Sequence, residues 1–83
     1  MTIPTGPIAE APWDAIPNPG PLAPQGTADA MRRQVLLDAL DGVELGAYDH
    51  QIMTWMAQWD GPTVATVASW LLRARQAGRA EAA

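Results

Sequence analysis

The chain holds one histidine, nine carboxylates, five arginines and no cysteine, and its possible chemistry depends on how these are spaced. His50 is the residue type that binds metals and moves protons near neutral pH. Asp49 precedes it, but adjacent side chains on a helix point about 100° apart and do not act together. Further ligands at metal-site spacing are missing, whether as HExxH or as paired Cys and His. Ser69 sits in mid-helix with no base near it in sequence, so it is a poor nucleophile. Asp38 and Asp41 are three apart, with Glu44 close behind. They form either a weak cation pair or, more commonly for such runs, a solvated acidic edge. The seven glycines are isolated and form no phosphate-cradling loop. We therefore expect no enzyme: no catalytic, metal-binding or cofactor-binding residue, and no cofactor.

The whole chain narrows the classes further. At 83 residues and 48% hydrophobic content it can build one small core, close to the size where a core is only marginally stabilising. The absence of cysteine excludes disulfides and thiolate zinc sites. A net charge of −4 and a pI near 4.5 oppose nonspecific wrapping of nucleic acid, which relies on phosphate neutralisation, although a local basic patch would still be compatible. No apolar run approaches the roughly 20 residues of a membrane span. The proline-broken N-terminus, without a basic segment, does not read as a secretory signal. The expected setting is the cytoplasm.

Seven of the eight prolines fall within residues 1–24. Proline removes a backbone donor and pushes the residue before it out of the helical region. The stretch PNPGPLAP, Pro17 to Pro24, sustains neither helix nor central strand. Residues 1–26 therefore read as a Pro-rich arm, extended or disordered. Ile3, Ile8, Trp13, Ile16 and Leu22 are strung along it. Either the segment around Trp13 folds back onto the domain, or it is a docking peptide for another protein.

From Thr27 the pattern becomes helical, and the fold class is all-α: a small three-helix bundle over residues 27–78, with residues 79–83 a frayed end. The first helix is expected at 28–41, capped by Thr27 and closed by Gly42. Ala30, Arg33, Leu37 and Leu40 share one of its faces, and Met31, Val35 and Ala39 lie nearly opposite. The second is expected at 46–59, its start blurred by Gly46. Leu45, Tyr48, Ile52, Trp55, Met56 and Trp59 fall within about 100° of arc and form its core face. The third is expected at 62–77, opened by Pro62 and ended by Gly78. Its core face is Val64, Val67, Ala68 and Leu71, and its polar face Thr66, Ser69 and Arg73.

The stretch WDGPTVATVASWLLRARQAG, Trp59 to Gly78, carries part of a helix-turn-helix pattern. Ala57 matches the small residue of the first helix and Gly61 the turn glycine. Met56, Val67 and Trp70 take apolar positions, whereas Asp60 and Pro62 fall where apolar residues are usual. On that alternative reading Thr63, Thr66 and Ser69 face bases, and Arg73, Arg75 and Arg79 meet phosphates. A helix C-terminus favours the same arginines by about 0.3–1 kcal/mol each without any DNA. The run AYDHQIMTWMAQWDGPTVATVASWLLRA also resembles small uncharacterised proteins of actinobacteria and their phages, over residues 44–76. The resemblance implies a setting, that of a phage or mobile-element accessory protein, and no activity.

Trp70 lies about 120° from the centre of its helix's core face, and Met53 is similarly placed on the second helix. With the second apolar side of the first helix, this is more apolar surface than three short helices bury. The preferred expectation is a non-enzymatic protein-interaction module that binds another protein, or a second copy of itself, through Trp13, Met31, Val35, Met53 and Trp70. The alternative is a small helix-turn-helix DNA-binding regulator. Nucleic acid is a partner only on that alternative, and a membrane is a partner on neither.

Overall fold

The computed structural model describes residues 2–82, and side chains as far as residue 79. Three helices follow the arm: α1, Thr27–Ala39; α2, Ala47–Met56; and α3, Gly61–Ala82. Among the described residues there is no strand, so the small all-α three-helix fold stands.

The helix ends show which local signals govern. α1 begins one residue before its expected start, because Gly26, at φ 89°, takes the N-cap position expected for Thr27. The Thr27 hydroxyl bonds back to the Pro24 carbonyl at 2.7 Å. Beyond α1, Gly42 adopts φ 85°, a left-handed turn that glycine enters without a steric cost. At the start of α2 the Asp49 carboxylate accepts the Gly46 N–H at 2.9 Å. α2 stops at Met56, three residues early. Its helical spiral tightens there, with Gln58 N–H donating to Trp55 and Trp59 N–H to Met56, the three-residue bonds that often finish a helix. α3 is capped by Asp60, whose carboxylate accepts the Thr63 N–H at 3.3 Å and the Thr63 hydroxyl at 2.7 Å. It runs straight through Gly78, so the expected stop at residue 77 is corrected and residues 79–82 of the expected frayed end are helical, while Ala83 lies outside the described residues. A mid-helix glycine costs only about 1 kcal/mol, and its alanine-rich surroundings favour helix.

The bundle is open. Its extents are 47 × 32 × 15 Å, and the helices lie nearly side by side, with α1 packed mainly on α3 and α2 packed on α1. Val35, Leu36 and Ala39 of α1 meet Val64, Ala65 and Ala68 of α3 and Met53 of α2 in one core. Two residues of the arm, Ala15 and Ile16, belong to the same core, and Ile3 packs at its edge.

Arginines tie the layer together at helix C-termini, where free carbonyls gather. Arg32 of α1 donates from Nε to the Ala57 carbonyl at the end of α2, at 2.6 Å, and pairs with Asp29. Arg75 of α3 donates to the Ala39 carbonyl at the end of α1, at 3.2 Å, and to the Asp41 carbonyl. Arg33 reaches His50 Nδ1 on α2 at 3.2 Å.

Candidate partner-binding surface

The arm settles much of the surface. Its first half closes on itself, with Thr2 N–H donating to the Ala15 carbonyl at 3.2 Å, and it is held against α3 at two points. At the start of α3, Ile16 packs beside Gly61, where an added Cβ would sit 3.8 Å from the Ile16 carbonyl. Further along, the Ser69 hydroxyl donates to the Pro4 carbonyl at 2.6 Å and accepts from Arg73 Nε at 3.1 Å. Of the two expectations for the Trp13 segment, folding back is what the structure shows. Residues 2–16 carry no regular secondary structure, only bends and a turn at residues 6, 10 and 13–16.

Folding back leaves Trp13 outside. Its side chain is 73% exposed, and Trp70 is 58% exposed. The two tryptophans border one groove of about 260 Å³, floored by Pro12 of the arm and by Pro62 and Val67 of α3, with Thr63 and Thr66 along it. Thr63, Thr66, Val67 and Trp70 recur at spacings of three and four, so they share one helix face. The Asp60 carboxylate stands at the same groove. The Thr63 hydroxyl bond lowers its pKa below the ordinary carboxyl value, with the Thr63 N–H bond acting in the same direction and desolvation opposing. It is therefore an anion at neutral pH. What the site offers is apolar and aromatic surface with hydroxyls and one negative charge. Among the described residues, no three His, Cys, Asp or Glu side chains gather into a possible metal site.

The expected partner-binding residues separate on inspection. Trp13 and Trp70 come together at the groove. Val35 and Met53 do not belong to any surface: they are 3% and 4% exposed and are corrected to core positions. α1 turns its Val35–Ala39 side inward against α3, and α2 seats Met53 against α1. Met31 is half-buried and lines none of the grooves described here.

The expected DNA-reading set separates too. Ser69 is completely buried beneath the arm and reaches no base, a correction to the polar face assigned to α3. Thr63 and Thr66 bond to Asp60 and to the Pro62 carbonyl. Arg73 is engaged by Ser69 and Arg75 by the carbonyls of Ala39 and Asp41, which leaves Arg79 as the exposed arginine of the set. α2 and α3 also make little direct contact, whereas a helix-turn-helix packs its two helices together.

The Tyr48–Trp59 face of α2, expected in the core, is divided between core and surface. Tyr48 is 71% and Trp55 54% exposed, whereas Leu45, Ile52, Met56 and Trp59 are half-buried, and Leu45, Met56 and Trp59 pack against the core. The apolar period was correct, but Met53 and Ala57, off its centre, make the buried contact. Trp55 and Trp59 stack edge to face at 4.8 Å.

No protein-family model matches the chain, and no curated protein or solved structure matches it significantly. Among the described residues no helix is long and apolar enough to cross a membrane.

Proposed function

We propose that the chain is a non-enzymatic protein-interaction module whose docking surface is the Trp13–Trp70 groove. The observation that carries this reading is the pair of exposed tryptophans on one groove, assembled from two parts of the chain that meet only because the arm folds onto α3. Tryptophan is enriched at the energetic centres of protein interfaces, where a large rigid ring is desolvated by the partner. Proline and threonine between the rings give a partner's backbone both contact and hydrogen-bonding groups. The ionised Asp60 opposes a phosphate backbone at the same place, which favours protein over DNA as the occupant. The resemblance of residues 44–76 to small proteins of actinobacteria and their phages is the basis for reading the module as an accessory protein of a phage or mobile element.

The test is affinity capture from source cells, with the wild-type chain beside a Trp13→Ala, Trp70→Ala double variant whose helix content is checked by circular dichroism. A discrete partner held by the wild type and lost from the folded double variant is the expected result. An identical set of captured proteins for both would refute the reading.

A further inference from the structure

A second surface, sharing no lining residue with the tryptophan groove, lies between the end of α1 and the outward face of α2. It is a depression of about 350 Å³ whose apolar wall is Leu40, Val43, Leu45, Tyr48, Ile52 and Met56, with Glu44 and Asp49 at its edge. Its charge is one-sided. Residues 41–59 contain Asp41, Glu44 and Asp49 and no lysine or arginine. The single ion pair among the described residues, Arg32 with Asp29, involves none of them. Arg75 of α3 is engaged by the backbone carbonyls of Ala39 and Asp41, and Arg33 of α1 meets His50 of α2.

We propose that this face docks a cationic amphipathic helix of a partner protein. An apolar groove flanked by helices receives the apolar face of such a helix. The carboxylates along its edge select lysine or arginine on the flanks. The exposed ring of Tyr48 adds an aromatic face over which a cation is attracted. A second copy of the chain is the poorer occupant, because two such faces together set carboxylate against carboxylate, with no arginine on α2 to relieve them. Nucleic acid is repelled by the same charges.

The probe is a fluorescent peptide of about 18 residues, five helical turns, built from leucine and lysine. Its control keeps the leucine spacing and replaces every lysine by glutamate. Each is titrated with the full chain and followed by anisotropy, at about 50 and 200 mM salt, where screening separates charge from apolar contact. The lysine peptide is expected to saturate at one per chain and to bind at least about tenfold more tightly than the glutamate peptide. Tyr48→Ala, at an exposed position that folding does not need, should weaken it about tenfold, as expected of an interface aromatic. Glu44→Lys should weaken it at low salt and less at high salt, and Trp70→Ala should leave it unchanged. Equal affinity for the two peptides would overturn the proposal, as would binding that survives both Tyr48→Ala and Glu44→Lys. So would a dimer in sedimentation that Tyr48→Ala returns to monomer, because the occupant would then be a second copy. The unchanged Trp70→Ala result separates this face from the tryptophan groove, so either can fail alone.

Discussion

Ser69 is the residue whose role changes most between sequence and structure. A serine in mid-helix, on the face away from the apolar stripe, reads as solvated. Its acceptor is the Pro4 carbonyl, 65 positions away, and no local pattern reveals a partner at that separation. With Arg73 donating to the same hydroxyl, it forms the polar clasp between arm and helix. Ser69→Ala should therefore destabilise the fold by about 1 kcal/mol in urea unfolding, and should speed protease cleavage within the arm. Asp60 makes a different prediction. Thr63 holds its pKa below the ordinary carboxyl value, so its contribution to stability is complete above that value, about 3.9, and is lost as pH falls through the lowered one. Asp60→Asn keeps a capping oxygen but cannot titrate. The difference in melting temperature between wild type and this variant should shrink toward zero as the pH is lowered through that range.

At the scale of elements, what could be read in advance was whatever is set by neighbours in sequence. Gly42, Gly46 and the Gly61-Pro62 pair marked the helix ends to within a few residues, because caps and turns act locally. Gly78 did not, because one glycine cannot stop a helix that its flanks favour. The orientation of α2 was not readable either. Its apolar period gives a face, but whether that face turns inward depends on what α1 offers opposite it. The same limit hid the arm, whose prolines exclude regular structure and say nothing about packing. Two predictions belong here. Ile16→Ala should cost about 2 kcal/mol or more, as for a buried aliphatic residue, whereas a free tail would show no change. Gly78→Ala should stabilise α3 by about 0.5–1 kcal/mol, because a Cβ there meets nothing within 4 Å. Thermal unfolding of the two variants checks both.

At the scale of the molecule, the thin layer explains why apolar surface is left over. Three helices side by side bury their mutual contacts and present two broad sides to the surroundings, and one short arm covers only part of one. The exposed rings of Trp13, Trp70, Tyr48 and Trp55 are the consequence, and the acidic charge of Asp41, Glu44 and Asp49 gives one of these regions a preference. Composition foresaw the excess of apolar surface but not its placement, since Val35 and Met53 went inside and Tyr48 and Trp55 came out. The tryptophan groove as a protein-docking site is the central proposal. Its most direct test is photo-crosslinking in living cells, with benzoylphenylalanine in place of Trp70, in place of Trp13, and at exposed Thr54 as a control. One discrete protein adduct from positions 70 and 13, and none from 54, is the expected result. Adducts to DNA, or no adduct from either tryptophan position, would contradict it.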